Sequence, residues 1–100
     1  MKNISYEERK ATYKVALRKW GIDSQVMMAV EEMSELTKEI CKIFRGKGTM
    51  DDLADEIADV LITLEQLKFI YEIGDMVDDH INAKIYRLQE RLGMLEADAR

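Results

Sequence analysis

The sequence predicts an all-α protein, a four-helix bundle with an antiparallel hairpin of helices at its centre. The chain has no proline and only five glycines, a composition that favours long uninterrupted helices. Its apolar residues recur three and four positions apart rather than in alternation, which is the period of amphipathic helices. With 100 residues, the chain is expected to form a single domain over 1–100.

The first two helices are delimited by a serine and a glycine. Ser5 and Glu8 have the spacing of a capping box, and Gly21 is expected to end the first helix. The second helix is expected to start after Asp23 or Ser24 and to run as far as the next loop. Its predicted buried stripe consists of Val26, Val30, Met33, Ile40 and Ile43.

A loop containing glycine and lysine, residues 45–48, separates the second and third helices. Thr49 caps a third helix that is expected to reach about Ile73, and Asp75 caps a fourth that follows the break at Gly74 and runs into the nineties. Because the loop is short, the second and third helices are expected to be antiparallel neighbours. The fourth helix has an apolar stripe formed by Val77, Ile81, Ile85, Leu88, Leu92 and Leu95.

Composition and charge narrow the classes of function. The formal charge of −5 at pH 7 argues against a general nucleic-acid binder, because phosphate backbones are bound by basic surfaces. No apolar stretch approaches the length that spans a bilayer, and no N-terminal run resembles a signal peptide. The single cysteine, Cys41, cannot form an internal disulfide, which favours a cytoplasmic location. We expect such a small helical chain to bury its remaining apolar surface against a copy of itself.

Two segments of the central hairpin, one on each helix, repeat the same pattern of acidic residues. In each segment one acid follows another after three positions, which puts both on one helix face. The two pairs are Glu32/Glu35 and Glu56/Asp59. Glu39 extends the first row by one turn. Because the helices are expected to be antiparallel neighbours, the centres of the rows can meet and four carboxylates would converge.

Converging carboxylates predict a divalent metal site. At an effective dielectric constant of about 20, two like charges ~6 Å apart repel by roughly 3 kcal/mol, so the cluster must spread into water, take up protons or bind cations. Oxygen ligands without cysteines favour Mg²⁺, with Mn²⁺ as a substitute, over zinc. A single acidic pair is usually a solvated helix face, but two matched pairs on packed helices favour the metal. A di-iron site is disfavoured. Such sites use a glutamate three positions before a histidine, but the residue three positions before His80, the one histidine, is Val77.

Basic and aromatic residues are the candidates for binding an anionic nucleotide. Lys84 and Arg87 share one face of the fourth helix, where they would contact phosphate oxygens; ordinary pairing with neighbouring acids is the alternative. Trp20 and Gln25 flank the turn between the first two helices. Trp20 is interpreted either as a core residue or as a side chain that stacks on a nucleobase, with Gln25 contacting base edges.

The acidic pairs lie in the segments VEEMSEL and DEIADVLI, which together resemble the two-part motif of the MazG-like family of all-α nucleoside triphosphate pyrophosphohydrolases. They are also similar to the related dimeric dUTPases and dCTP pyrophosphatases. The segment KWGIDSQVMMAVEEMSEL resembles the compact single-domain members found in bacteria and phages. The resemblance extends roughly over residues 13–92.

The resemblance implies an activity and a set of roles. Family members use Mg²⁺ to hydrolyse a nucleoside triphosphate between its α- and β-phosphates, which releases a monophosphate and pyrophosphate. The matching positions for the metal ligands are Glu32, Glu35, Glu56 and Asp59. Glu35 or Glu31 would position or deprotonate the attacking water, and Lys84 and Arg87 fall where the family has phosphate-binding residues. Single-domain relatives assemble as homodimers or homotetramers.

A non-catalytic protein is the alternative. It would be a helical oligomeric interaction or regulatory protein whose acidic cluster is only structural. The complete set of four acids favours the hydrolase, and the sequence does not distinguish among dUTP, dCTP and damaged nucleotides as substrates.

Overall fold

The computed structural model describes residues 1–95, and all regular secondary structure in this part of the chain is helical. Helix α1 spans Tyr6–Phe44, α2 spans Met50–Tyr71 and α3 spans Gly74–Arg91. The predicted all-α class is therefore confirmed, although residues 1–95 form three helices where the sequence predicts four. None of the three combines the length and the apolar character that a membrane span requires.

The predicted break at Gly21 is present, but no loop accompanies it. Gly21 adopts φ 82° and ψ 167°, a backbone conformation that is open almost only to glycine. Helix α1 continues directly on both sides of this residue. It therefore consists of two arms, residues 6–20 and 22–44, which correspond to the first two predicted helices.

Both arms of α1 contact the same level of α2. Tyr13 in the first arm donates a hydrogen bond to Glu65, and Gln25 in the second arm accepts one from Gln66 at 2.9 Å. In an uninterrupted helix, the rise per residue would separate Tyr13 from Gln25 by about 18 Å. The change of direction at Gly21 therefore brings both arms against one stretch of α2.

Glu65 connects the first arm of α1 to α2. Its carboxylate accepts hydrogen bonds from Arg9 at 2.9 and 3.2 Å and from the hydroxyl of Tyr13. Burial alone would raise the pKa of Glu65, but these hydrogen bonds outweigh it and hold the pKa below its ordinary value. Burial, together with the neighbouring Glu65, raises the pKa of Tyr13 to about 12. The three side chains thus form one charge-assisted network.

The second arm of α1 and α2 form the predicted antiparallel hairpin. Gln25 is paired with Gln66, and Glu32 lies beside Asp59, so residue numbers rise on one helix as they fall on the other. Thr49 accepts a hydrogen bond from the backbone of Asp52 at 3.0 Å and caps α2 as predicted. The short loop before it allows the two helices to pack side by side.

The contact face of the hairpin follows a spacing of four and three residues on both helices, the heptad period of coiled coils. Its buried and half-buried members on α1 are Gln25, Ala29, Glu32, Leu36, Glu39 and Ile43. On α2 they are Leu53, Glu56, Val60, Thr63, Leu67 and Ile70. Three glutamates therefore occupy positions that apolar side chains normally fill.

The prediction of which stripe is buried on the second helix is largely wrong. Val30, Met33 and Ile40 are 42–52% exposed, and the other two members of the stripe are half-buried. The contact face lies one position earlier, at residues such as Ala29 and Glu32, which corresponds to a rotation of about 100° around the helix. The prediction selected the more apolar face, whereas the hairpin packs through the neighbouring, more polar one.

The connection between α2 and α3 differs in detail from the prediction. Helix α2 ends at Tyr71, because Glu72 adopts a left-handed conformation with φ 54° and ψ 45°. Helix α3 begins at Gly74, and Ile73 precedes it without a side-chain cap, so the predicted cap by Asp75 is not formed. Within the described residues, no Cα atom of α3 lies within 8 Å of one in α1.

Much apolar surface is left uncovered by the single chain. Ile81, Ile85 and Leu88 on α3 are all about half exposed, and only three apolar side chains within residues 1–95 are buried. The accessible surface is 8100 Å², whereas a compact monomer of this mass exposes about 5,800 Å². The radius of gyration is 17.5 Å, against about 13 Å for a compact domain of this length. The chain alone does not close a core.

We expect Glu65→Gln to reduce the free energy of unfolding by about 1–2 kcal/mol at pH 7. This loss is smaller than that of a fully buried charged hydrogen bond, because the network is partly exposed to solvent. Folding lowers the pKa of Glu65 from its ordinary value of 4.5. The contribution of this carboxylate to the free energy of unfolding is therefore present above pH 4.5 and is lost as the pH falls through the folded pKa. Urea titrations at neutral pH and near pH 3 measure this difference.

The control for this experiment is Glu7→Gln, which removes an exposed partner of Lys10. It should change the free energy of unfolding by less than about 0.5 kcal/mol. Equal losses in the two variants would contradict the role given to Glu65, as would a loss that is just as large in acid.

Candidate metal centre

Three of the four predicted metal ligands converge between α1 and α2. Glu32, Glu56 and Asp59 each contribute one carboxylate oxygen, and these oxygens lie within 4.8 Å of one another. Glu32 and Glu56 reach this point because they belong to the contact face of the hairpin. Asp59 follows Glu56 by three positions on α2 and therefore shares its side of the helix. All three side chains are half-buried.

The cluster is electrostatically unfavourable in the absence of a cation. Burial, followed by the charges of the neighbouring carboxylates with Asp59 first among them, raises the pKa of both Glu32 and Glu56. Within residues 1–95, no lysine, arginine or histidine forms an ion pair with any of the three acids. Their mutual repulsion is therefore not relieved by basic side chains of the described chain.

The residues present fit a hard divalent cation. The donors are all carboxylate oxygens, which Mg²⁺ and Mn²⁺ prefer and which do not suit a soft metal. Oε2 of Glu56 is buried and has no hydrogen-bond partner, although a buried charged oxygen is normally satisfied. A divalent cation would both satisfy this oxygen and offset the repulsion among the three acids.

Glu35, the fourth predicted ligand, lies at the edge of the cluster. It is exposed, and its Oε1 accepts a hydrogen bond from Lys38 at 3.3 Å. It is not one of the three converging acids, but its charge contributes to the raised pKa of both Glu32 and Glu56. Its role as a ligand stays a prediction. The predicted catalytic residue Glu31 is exposed on α1.

The two residues proposed to contact a base lie on either side of Gly21 and differ in environment. The ring of Trp20 is 57% exposed, with the ammonium group of Lys19 5.6 Å from its centroid. Trp20 is therefore not a core residue of the single chain. Gln25 is buried, and its side-chain oxygen accepts the hydrogen bond from Gln66.

The predicted phosphate-binding residues do not join the acidic cluster within the single chain. Lys84 and Arg87 are exposed on α3 and form no ion pair with an acid of residues 1–95. The cluster lies between α1 and the first half of α2, whereas α3 follows the other end of α2 and does not pack against α1.

Glu39 is an acid to which the sequence reasoning gave no role. It is the most buried acidic side chain of residues 1–95, at 7% exposure, and its Oε1 has no hydrogen-bond partner. Its spacing of seven residues from Glu32 puts both on the contact face. The heptad period would have identified Glu39 if the choice of contact face had been known.

In the absence of divalent cations, we expect Glu32→Gln to melt at the same temperature as the unaltered protein or higher at pH 7. Folding raises the pKa of Glu32 above its ordinary value of 4.5, so the contribution of Glu32 to stability is most favourable below that value and is lost as the pH rises through the folded pKa. The advantage of the variant should therefore vanish near pH 4.

Addition of Mg²⁺ or Mn²⁺ should then raise the melting temperature of the unaltered protein more than that of Glu32→Gln, because a ligand that binds only the folded state stabilises it. Glu90→Gln, which changes an exposed acid of α3, is the control and should respond like the unaltered protein. An unaltered protein that does not respond to either cation would contradict a metal site at this cluster.

A scan against models of protein families and searches of curated proteins and solved structures found no match to this chain. The resemblance to the MazG-like family therefore stays a prediction, and the site is interpreted from its own residues.

Proposed function

We propose that this protein is a Mg²⁺-dependent nucleoside triphosphate pyrophosphohydrolase, the activity that its resemblance to the MazG-like family implies. The observation that supports this most is the convergence of Glu32, Glu56 and Asp59, with ligand oxygens within 4.8 Å of one another. An anionic triphosphate and an acidic cluster would repel each other, and a divalent cation between them removes the conflict.

The converging acids, with Glu35 at their edge, would hold the cation. When bound, Mg²⁺ would supply positive charge to polarise a phosphoryl oxygen and to lower the pKa of a water molecule. The chain contributes rigidity, because Glu32 and Glu56 project from the packed face of two helices and need no loop to position them.

Glu35 is the residue best suited to act on the attacking water. Its side chain is exposed, and its charge reaches both Glu32 and Glu56. A carboxylate in this position accepts a proton from the water or orients it toward phosphorus. Glu31, one residue before Glu32, is the second candidate for this role.

Trp20 is the proposed stacking partner of the nucleobase, since its exposed ring presents a face to solvent. Gln25 lies nearby in the chain, but it is buried, and its side-chain oxygen already accepts a hydrogen bond from Gln66. Of the two, Trp20 is therefore the better supported contact with the substrate.

We further propose that the active unit is a homodimer or homotetramer. The chain exposes about 2,300 Å² more than a compact monomer of its mass would, which exceeds the ~800 Å² per partner of a standard interface. The apolar stripe of α3, with Ile81, Ile85 and Leu88 about half exposed, is part of the surface that the chain leaves uncovered. In such an assembly, Lys84 and Arg87 of one chain would contact phosphates bound at the cluster of another.

One observation favours a second candidate function, a non-catalytic oligomeric interaction protein: the same uncovered apolar surface would serve a scaffold equally well. A protein that forms oligomers but hydrolyses no nucleotide would support this second function. For either function we propose a reducing cytoplasm as the location, because Cys41 is an exposed free thiol.

We expect the purified protein with Mg²⁺ to convert at least one member of a panel of canonical and modified nucleoside triphosphates to its monophosphate and pyrophosphate. Asp59→Asn should lower kcat/KM by about 100-fold or more, because it removes a ligand from the cluster. Asp55→Asn is the matched control, since Asp55 is exposed on the same helix and does not belong to the converging acids. Chromatographic identification of both products checks the bond that is cleaved.

Release of inorganic phosphate instead of pyrophosphate would contradict this activity. A complete lack of turnover across the panel would also overturn the hydrolase and leave the interaction protein as the alternative.

We expect light scattering to give a mass that is a multiple of the 11.6 kDa chain. Ile85→Glu should reduce this mass, because it puts a charge into the apolar stripe of α3 that an interface would bury. Asn82→Glu, which adds the same charge at an exposed polar position of α3, should leave the mass unchanged. A monomeric unaltered protein would contradict the proposed assembly.

A further inference from the structure

A cavity lies where the first arm of α1, the end of α2 and the start of α3 meet. Its volume is about 480 Å³, which is within the range of small-molecule sites in proteins. Lys68, which lines it, follows Asp59 of the acidic cluster by nine positions on α2. This spacing corresponds to roughly 13 Å along a helix, so the cavity is separate from the candidate metal centre.

Apolar side chains from all three helices form walls of this cavity. Tyr6 and Leu17 belong to the first arm of α1, Phe69 belongs to α2 and Met76 belongs to α3. Within the described chain, α1 and α3 do not pack against each other. A molecule in the cavity would therefore contact two helices that are otherwise connected only through α2.

The same cavity is lined by charged residues of both signs, Lys68, Glu72 and Asp75. None of these side chains forms an ion pair with another residue of the range 1–95. Lys68 is half-buried, and the two acids are exposed. Removing a charge from water is unfavourable unless a partner compensates for it. A ligand with charged groups of its own would supply such partners.

Glu72 has a backbone conformation that its position at the end of α2 does not explain. It is the one non-glycine residue within 1–95 with a positive φ, at 54°. Helices often end with a residue in this left-handed conformation, and that residue is usually glycine, because a Cβ atom makes the conformation costly. The end of the helix would therefore be less strained with glycine than with glutamate. A ligand that contacts the Glu72 carboxylate would account for the glutamate.

From the cavity, its apolar walls and its unpaired charges, we infer a binding site for a small zwitterion with an apolar body, the chemistry of an amino acid with an apolar side chain. Its ammonium group would contact Glu72 and Asp75, and its carboxylate would bind to Lys68. The two acids disfavour a free phosphate or a nucleotide. The site uses no residue of the metal centre, and it does not depend on the proposed hydrolase activity.

The test is calorimetric titration of the full chain with L-leucine, L-methionine and L-phenylalanine. At least one of them should bind with a Kd below about 1 mM. The analogues of that amino acid that lack either the carboxylate or the ammonium group should bind about 10- to 100-fold more weakly, because each loses a charge-assisted contact. The proposed site is overturned if none of the three amino acids binds, or if either analogue binds as tightly as the parent amino acid.

A matched pair of variants locates the binding. Glu72→Gln keeps the shape of the side chain and removes its charge, so it should weaken binding of the amino acid about 10- to 100-fold. Glu90→Gln makes the same change at an exposed position of α3 that does not line the cavity, and it should bind like the unaltered protein. Equal affinities of the two variants would place the ligand elsewhere and contradict this site.

Glu72→Gly separates a ligand contact from a structural role. Without ligand, this variant should melt at the same temperature as the unaltered protein or higher, because glycine adopts a positive φ without strain. It should nevertheless bind the amino acid as weakly as Glu72→Gln does. A variant that melts at a lower temperature and binds with unchanged affinity would show that Glu72 serves only the fold, and the proposed site would be wrong.

Discussion

Mutual repulsion among carboxylates at the contact face of a helical hairpin is the constraint on which the rest of the structure depends. Glu32, Glu39 and Glu56 occupy heptad positions where apolar side chains would stabilise the pair of helices. Buried charges cost free energy unless they are paired. The hairpin must therefore obtain its stability from its few apolar layers, from contacts outside this face and from whatever neutralises the acids.

The Glu65 network is one of these outside contacts. Because Gly21 redirects α1, the first arm reaches the same level of α2 as the second arm, and Arg9 and Tyr13 both hydrogen-bond to Glu65. This carboxylate has the opposite electrostatic environment to those of the cluster: its pKa is lowered, whereas those of Glu32 and Glu56 are raised. Helix α2 thus contains one acid, Glu65, whose carboxylate is paired with hydrogen-bond donors, and another, Glu56, whose charge is not paired with a cation of the described chain.

The features that could be predicted from the sequence are those fixed by local chemistry. Gly21 interrupts the helix because of its own backbone, and the i, i+3 spacing puts Glu56 and Asp59 on one face whatever else happens. The contact face could not be predicted, because two neighbouring faces of α1 compete and the more apolar one is not used. The position of α3 could not be predicted either, since the described chain gives the apolar stripe of α3 little to pack against. Lys84 therefore could not be related to the cluster from spacing alone.

The hairpin also has a consequence for folding kinetics. The converging acids, from Glu32 to Asp59, come from a single short stretch of chain, so closing the loop between them costs little entropy and their contacts are of low contact order. The repulsion therefore develops as soon as the two helices meet, before α3 or the first arm needs to be in place. Ionic strength is consequently expected to act on the rate at which the hairpin forms, and not only on the stability of the finished fold.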